Sequence, residues 1–339
     1  MILEKDSSVL GYPGEVSKAL NADHHGVCKY DSPSDSNYIA VRNALKSIMG
    51  KVIMNDISNR ADDDQTLSKR RLSQDLRSLL AITDLPSTDY SFFQDRWTDG
   101  TCEWILFNDA YLQWTSGDDL SPKILWLYGR PASGKSVLSS FVINKLVALG
   151  KMSSCQYFFI RYGDSNKRSL SLLFRSLAYQ MALAVPGFQE NILELADEAV
   201  EFESVDPKFI WECLISTIIR LELQRPIFWV IDGIDEADNG RLLIKYLGEL
   251  TLVSSPVRVL LVGRNTSEIN TAFGKLPTTL CAVSLSIEGH ESDLRHYVEQ
   301  ELTMRGEPEF ISVIVDRVTK SAKSNFLVNT THALRMFLD

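Results

Sequence analysis

The sequence lacks the cysteine patterns that stabilise small secreted domains or bind zinc. Its five cysteines in 339 residues are scattered, odd in number and never spaced as CxxC. We therefore expect neither a disulfide framework nor a zinc site, and the pattern indicates a reducing compartment. No apolar run reaches membrane-spanning length, and the N-terminus has no apolar signal segment. The expected location is cytoplasmic, without a membrane segment.

Basic residues are fewer than acidic ones. The chain has 35 lysines and arginines against 44 aspartates and glutamates, which gives a formal net charge of −9. A broad polyanion-binding surface needs the opposite balance, so nucleic acid is not an expected partner. The composition, 45% hydrophobic and 23% charged, is that of ordinary globular proteins, and no repeat period is present. The length allows two or three domains with a sizeable core.

From Lys123 onward, short apolar runs alternate with helical patterns, which is typical of βαβ units. One helix is predicted to begin near Lys135, and another has Asp206 as its N-cap and Pro207 at its first position. The predicted fold is α/β, with a doubly wound, mainly parallel five-stranded sheet and a small C-terminal helical extension. The five strands are expected at 124–128, 156–160, 227–231, 259–262 and 280–287.

A phosphate-binding loop joins the first predicted strand to its helix. The segment GRPASGKS at 129–136 fits the pattern GxxxxGK[ST]. Glycines let the backbone wrap a phosphate, and amides at a helix N-terminus donate to it. A lysine at that position opposes the helix dipole unless an anion is bound. We predict nucleotide contacts from a continuous stretch: Gly129, Arg130, Pro131, Ala132, Ser133, Gly134, Lys135, Ser136 and Val137.

Acidic residues follow the third predicted strand. The run IFWVI is followed by Asp232, Asp235 and Glu236, at the edge where parallel sheets bind ligands. We predict that Ser136 and Asp232 hold Mg²⁺ and that Lys135 contacts the β and γ phosphates. Glu236 is the first choice for the group that orients the attacking water, and Asp235 is the second. Alternatively, Asp235, Glu236 and Asp238 could all cap the helix that follows.

A cation follows the fourth predicted strand. Arg264 comes directly after Gly263 and therefore reaches the same edge of the sheet. It could sense the γ-phosphate or pair with one of the acids near Asp232, and the sequence leaves both possibilities open. We interpret three tryptophans upstream of the phosphate loop as packing residues rather than as a base-stacking site: Trp97, Trp104 and Trp114.

The segments GRPASGKS and IFWVIDGIDEAD together resemble the Walker A and Walker B motifs of NACHT-class signal-transducing (STAND) P-loop NTPases. The resemblance is strongest to the fungal group related to the nephrocystin N-terminal domain, and the D-G-h-D-E form of the second motif is its distinguishing part. It runs over about 72–338 and includes the flanking segments GTCEWIL, YFF and LFRSLAYQ, which begin at 100, 157 and 173.

The resemblance implies that the protein binds ATP or GTP with Mg²⁺ and hydrolyses it slowly in a conformational switch. Such NLR-like switches act in non-self recognition and cell death, which implies a protein signalling partner and a homo-oligomer on activation. The resemblance also implies that residues 100–104 lie near the nucleotide. The phosphate loop and the strand ends themselves predict the catalytic set: Lys135, Asp235, Glu236 and Arg264.

The resemblance also gives expected domain bounds. Residues 1–50 resemble the C-terminal end of an α/β-hydrolase domain, with His24 at the place of the triad histidine. Because the nucleophile precedes the histidine in that fold, it would lie before Met1, and we expect no hydrolase activity. A linker with helical segments is expected at 51–98, a NACHT-like domain at 99–290, and a truncated helical extension at 291–339. The chain is thus expected to be a fragment or a shortened relative.

Two other functions stay open. A module could hold nucleotide without turnover, since the effector and sensor parts of the family are missing from the sequence. A small-molecule P-loop kinase is the weaker alternative, because no lid with clustered arginines follows the phosphate loop.

Overall fold

The computed structural model describes residues 70–116, 123–150, 154–185, 187–197, 206–221, 226–252, 255–276, 282–287 and 291–303, together with a few single positions. The chain divides into two compact units, 1–73 and 74–339. In the first unit, helical residues are described at 37–39, 41, 42 and 45. His24 and the rest of the hydrolase-like segment lie outside the described residues.

The strands and helices have the following bounds. The strands are β1 (Ile124–Tyr128), β2 (Ser154–Phe159), β3 (Ile227–Asp232), β4 (Val257–Gly263) and β5 (Ala282–Ser286). All five predicted strands are therefore present, with ends within two residues of the prediction. The described helices are α1 (70–79), α2 (Pro86–Gln94), α3 (Asp109–Ser116), α4 (Lys135–Ala148), α5 (Leu170–Ala184), α6 (Phe188–Asp197), α7 (Pro207–Arg220), α8 (Gly240–Leu252), α9 (Ser267–Phe273) and α10 (Glu291–Thr303).

The sheet places the carboxyl ends of three strands side by side at one edge. All strands run parallel in the order β2-β3-β4-β1-β5. The register pairs Tyr128 with Gly263 and Asp232 with Val262, so the carboxyl ends of β1, β4 and β3 are neighbours. From β1 the chain crosses to the far edge at β2, whereas β5 lies on the other side of β1. Doubly wound sheets bind ligands at such a point of divergence, and the predicted α/β P-loop fold is confirmed.

One side of the sheet packs against α2, α3 and α4. Trp114 of α3 is fully buried there, with its ring centroid 5.0 Å from that of Phe228. The interpretation of Trp114 as a packing residue is thus confirmed. Successive strand residues point to opposite sides of a sheet, and this side uses every second position of three strands: Leu125, Leu127, Phe228, Val230, Leu260 and Val262.

The other side of the sheet is lined by aromatic residues. Trp126 stacks on Phe273 of α9 with centroids 4.6 Å apart. Trp229 contacts Trp211 of α7, and Phe174 and Tyr246 from α5 and α8 complete the cluster. Because helices cover both sides, the sheet is buried between two layers, as its continuous apolar strands indicate.

Two polar side chains of α5 satisfy main-chain groups of neighbouring elements. Gln180 Nε2 donates to the carbonyl oxygen of Tyr157 in β2 at 2.8 Å, and its Oε1 accepts from the Tyr157 amide at 3.1 Å. Arg175, which is buried, donates from Nη1 to the carbonyls of Leu80 and Ala81 just after α1, at 2.8 and 2.9 Å. These bonds explain why an arginine and a glutamine occur within the apolar segment LFRSLAYQ.

The helical extension is represented by α10, whose Leu294 and Val298 are buried. Beyond α10, positions 315 and 316 are the described ones, so most of the predicted extension lies outside the described residues. The expected bounds at 98/99 and 290/291 stay predictions. In the described part of the chain, no helix is long and apolar enough to cross a membrane.

Candidate functional site

A cavity of about 800 Å³ opens at the carboxyl ends of β1, β3 and β4. Two sets of residues line it. The loop side consists of residues 131–137 with Asp232, Gly233, Asp235, Glu236 and Arg264. The α10 side consists of residues from 95–104 together with three residues of α10: Asp293, Tyr297 and Gln300.

The phosphate loop and Lys135 form the base of the loop side. Helix α4 begins at Lys135, as predicted, and Ala132 in the loop has a φ of +60°, which is uncommon for a residue with a side chain. Lys135 Nζ donates to the carbonyl oxygens of Gly129 at 3.1 Å and Arg130 at 2.5 Å. Of the predicted nucleotide contacts, residues 131–137 therefore line the cavity, and Gly129 and Arg130 hold the lysine over the loop.

The environment of Lys135 favours a bound anion. Burial lowers the pKa of Lys135 below its ordinary value, while the nearby carboxylates of Asp232 and Asp235 act in the opposite direction. A lysine that has lost part of its hydration gains more from a negatively charged partner than an exposed lysine does. The phosphate of a nucleotide is such a partner.

Asp232 is held by two hydroxyl groups of α4. Ser136 Oγ donates to its Oδ2 at 2.5 Å, and Ser139 Oγ donates to its Oδ1 at 3.0 Å. Burial raises the pKa of Asp232 to about 6, although both hydroxyl bonds lower it. The pair of Ser136 and Asp232 is thus brought together as expected. Ser139 was not predicted, and its place one turn after Ser136 on the same helix face is the signal that identifies it.

The donor set fits Mg²⁺. Hydroxyl and carboxylate oxygens are the hard ligands that Mg²⁺ prefers, and the ion keeps several waters, so few protein ligands are needed. A divalent cation would also reduce the cost of burying the Asp232 charge. No cluster of three or more histidines, cysteines and acids suited to a metal occurs among the described residues. Ser136 and Asp232 would therefore hold the ion together with water and phosphate oxygens.

The side chains of Asp235 and Glu236 point toward different strands. Both residues follow a turn at Gly233, whose φ is +82°, and a Cβ at this position would lie 2.5 Å from the Ile160 carbonyl oxygen. Asp235 Oδ1 accepts from the backbone N–H of Arg264 at 2.8 Å, and Oδ2 lies 3.2 Å from Arg264 Nε. Glu236 Oε2 accepts from the backbone N–H of Tyr162 at 2.6 Å, in the loop after β2. Arg264 was expected either to sense the γ-phosphate or to pair with an acid near Asp232, and in the structure it pairs with Asp235.

The alternative role of these acids as helix caps is not observed. Helix α8 begins at Gly240, and Asn239 Oδ1 accepts from the backbone N–H of Leu242 at 3.0 Å. Asn239 therefore acts as the N-cap, whereas Asp235 and Glu236 face the cavity.

On the α10 side, a turn at 97–102 contacts α10, which lies about two hundred residues later in the sequence. Trp97 Nε1 donates to the Thr101 carbonyl oxygen at 3.1 Å, which fixes the turn. The Cys102 amide donates to Asp293 Oδ2 at 2.8 Å, and His296 Nε2 lies 2.9 Å from the Asp99 carbonyl oxygen. Burial raises the pKa of the Cys102 thiol to about 12, so the thiol stays protonated at neutral pH and is not a nucleophile.

Sequence reasoning reaches this side only in part. The resemblance implies that residues 100–104 lie near the nucleotide, and residues 101, 102 and 104 line the cavity. Trp97 and Trp104 line it as well and also pack against the core that contains Trp114, as their interpretation as packing residues requires. The contribution of α10 was not predicted. The residues joined by the Cys102 to Asp293 bond are 191 positions apart, and no local pattern signals such a contact.

Comparison with known proteins shows what this site is similar to. Residues 100–264 match the family described as Nephrocystin 3, N-terminal. This stretch contains both the phosphate loop and the acidic end of β3. It is 25% identical over 188 residues to the vegetative incompatibility protein HET-E-1 of Podospora anserina, and the match covers 55% of this chain. The predicted resemblance to fungal NACHT-type P-loop NTPases is thereby confirmed. The match spans only 14% of the length of HET-E-1.

The chain also has matches of low identity among solved structures. The Aeropyrum pernix ORC1 protein, solved in complex with DNA, is 17% identical with a TM-score of 0.45, over 67% of this chain and 57% of that one. Drosophila ORC bound to DNA is 16% identical with a TM-score of 0.38, over 72% and 57%. The chain thus spans less than two thirds of each of these structures.

Proposed function

We propose that the nephrocystin-type domain binds a nucleoside triphosphate with Mg²⁺ and hydrolyses it slowly. One observation carries the proposal: Lys135 and Ser136 begin α4 at the end of β1, with Ser136 Oγ 2.5 Å from the Asp232 carboxylate of β3. A backbone loop, a cation and a hydroxyl–carboxylate pair are the groups that phosphoryl transfer requires, because its catalysis is mainly positioning and charge stabilisation. ATP and GTP both fit the proposal.

Each group of the loop side has a proposed role. The backbone N–H groups of residues 129–137, other than Pro131, which has none, bind phosphate oxygens, and Lys135 contacts the β and γ phosphates. Ser136 and Asp232 hold Mg²⁺, which supplies charge neutralisation when bound. Glu236 orients the attacking water, and Arg264 contacts the γ-phosphate. The burial of Lys135 and Asp232 and the lining of the cavity by all five side chains support these roles.

We further propose that hydrolysis resets a conformational switch of the NACHT type, in the cytoplasm, with a protein signalling partner and self-association on activation. The identity with HET-E-1, a protein named for vegetative incompatibility, supports a signalling role in non-self recognition. The bonds from the 97–102 turn to Asp293 and His296 give the cavity a direct connection to α10. A ligand that alters the turn would therefore alter how α10 packs.

The first test is nucleotide binding by the purified chain and its Lys135→Ala variant, with mass spectrometry of any retained nucleotide and titration of ATP and GTP. A hydrogen bond between charged groups is worth about 1.5–3 kcal/mol, so we expect affinity to fall about 10- to 100-fold. Lys145→Ala on the exposed end of the same helix is the matched control and should bind normally. Equal affinity for Lys135→Ala and wild type would refute the proposal.

The alternative, a module that holds nucleotide without turnover, is favoured by one observation. Glu236 Oε2 is engaged by the Tyr162 amide at 2.6 Å, and water would have to compete with this bond. Single-turnover hydrolysis distinguishes the two. We expect slow release of phosphate that is lost in Glu236→Gln, whereas tight binding without any phosphate release would establish the module.

A further inference from the structure

Asp235 and Arg264 form a closed pair between the ends of β3 and β4. Asp235 Oδ1 accepts from the Arg264 amide at 2.8 Å, and Oδ2 contacts the guanidinium at Nε, 3.2 Å away. One carboxylate therefore fixes both the backbone and the side chain of the same residue. This double contact restricts the direction in which Arg264 leaves β4.

The pair leaves no room at the preceding position. A Cβ on Gly263 would lie 2.7 Å from Asp235 Oδ1 and 2.7 Å from Ile234 Cγ2. The last residue of β4 is therefore a glycine because the carboxylate packs against its backbone. The same glycine pairs with Tyr128, the residue before the phosphate loop, so the pair is tied to the site by sheet register.

The two members of the pair differ in exposure. The Asp235 side chain is 7% exposed, whereas that of Arg264 is 49% exposed, and both line the cavity. The contact uses Nε, and the terminal nitrogens Nη1 and Nη2 are the donors that an arginine directs at phosphate oxygens. The charges of Asp235 and Arg264 both affect Lys135, which places them within electrostatic reach of the phosphate loop.

We propose that Asp235 is a positioning residue that holds Arg264 toward the γ-phosphate, and that it therefore determines how well the site distinguishes a triphosphate from a diphosphate. The inference rests on the proposed function, and it separates the two acids that sequence reasoning ranked together. Glu236 turns toward β2 and the cavity, whereas both oxygens of Asp235 are engaged by Arg264. Asp235 thus acts through the arginine and not on the attacking water.

The test compares binding of a non-hydrolysable Mg²⁺-triphosphate with binding of the diphosphate in the full chain. The quantity measured is the ratio of the two affinities in wild type, Asp235→Ala, Arg264→Ala and the double variant. We expect each single variant to lower the ratio about tenfold through weaker triphosphate binding, with the diphosphate unchanged, and the double variant to lower it no further. A structural defect alone would weaken both nucleotides equally.

Three further variants keep the test decisive. Asp235→Asn preserves the acceptor for the Arg264 amide, and Gly263→Ala displaces the carboxylate without removing it. Both should lower the ratio even if Asp235→Ala does not fold. Asp238→Ala is the matched control, because Asp238 is a neighbouring acid whose partner, Arg168, lies 2.5 Å away. Its ratio should equal that of wild type.

The outcomes separate the two proposals. An unchanged affinity ratio in Asp235→Asn and Gly263→Ala would overturn the positioning role, and so would a roughly hundredfold fall of the ratio in the double variant. In either case the proposed function still stands if the wild type binds the triphosphate and Lys135→Ala does not. Absence of triphosphate binding in the wild type would overturn both. A tenfold, non-additive fall would support the positioning role.

Discussion

The loop side and the α10 side of the cavity are built in different ways. On the loop side, charged and hydroxyl groups from α4, β3 and β4 bond to one another, and the parallel sheet sets their distances. On the α10 side, the bonds run between the main chain of Asp99 and Cys102 and the side chains of Asp293 and His296. The loop side therefore depends on the chemistry of a few buried groups, whereas the α10 side depends on the docking of a helix.

The largest effect should come from Asp232→Asn on the loop side. Because the pKa of Asp232 is about 6 in the folded chain and 3.8 when unperturbed, the folded state binds more protons between these values. Its contribution to stability is thus present at low pH and is lost as pH rises from about 4 to 6. Without Mg²⁺ and nucleotide, the variant should be about 2–3 kcal/mol more stable than wild type at pH 7.5, with little difference near pH 4.

Thermal unfolding across pH measures this effect, and a gain of that size corresponds to several degrees in Tm for a unit of this length. Asp95→Asn is the control, since Asp95 is an exposed carboxylate lining the same cavity. Its stability at pH 7.5 should be close to that of wild type. A destabilised Asp232→Asn at pH 7.5, or a difference independent of pH, would contradict the account of the loop side.

On the α10 side, Gly100→Ala should cause a smaller loss of stability, about 2 kcal/mol. Gly100 has a φ of +82°, and an added Cβ would lie 2.9 Å from His296 Nε2. The left-handed conformation alone costs a residue with a side chain about 1–2 kcal/mol. Gly163→Ala is the matched control, because nothing lies within 4 Å of its Cβ and its φ is not positive. Chemical denaturation of both variants gives the comparison, and equal stabilities would argue against tight docking.

The smallest effect is expected for Asp293→Asn, which weakens the bond from the Cys102 amide without changing size. A hydrogen bond to a charged group is worth about 1.5 kcal/mol, so hydrogen exchange at that amide should accelerate about tenfold. Triphosphate affinity should change less than threefold, since the loop side is intact. A loss of binding as large as that of Lys135→Ala would show that the two sides do not act separately.

The difference between the loop side and the α10 side also decides how much of the site could be predicted from the sequence. The loop side was predictable because each strand is a continuous apolar run followed directly by its polar residue, as in Ile231 followed by Asp232. Parallel strands then bring those residues together. The helix start at Lys135 and the Asp206 N-cap, whose side chain accepts from the Lys208 amide at 2.7 Å, also follow from neighbouring residues.

What the sequence did not predict depends on distant contacts or on short elements. Helix α6 begins only two residues after Pro186, which interrupts the helical pattern, and α9 has just seven residues. The directions of the Asp235 and Glu236 side chains depend on the turn at Gly233, so the amino-acid sequence alone does not distinguish their roles. Docking of α10 requires the folded core, because its partners at 99–102 lie almost two hundred residues earlier.

Gln180 has a consequence for how the protein resists aggregation. Strand β2 lies at the end of the described sheet, where an uncovered edge can template the addition of strands from other molecules. Since the Gln180 amide already occupies both main-chain groups of Tyr157, an incoming strand would have to displace it before pairing at that residue. A single side chain on α5 thus occupies the main-chain groups through which another strand would pair at the middle of β2.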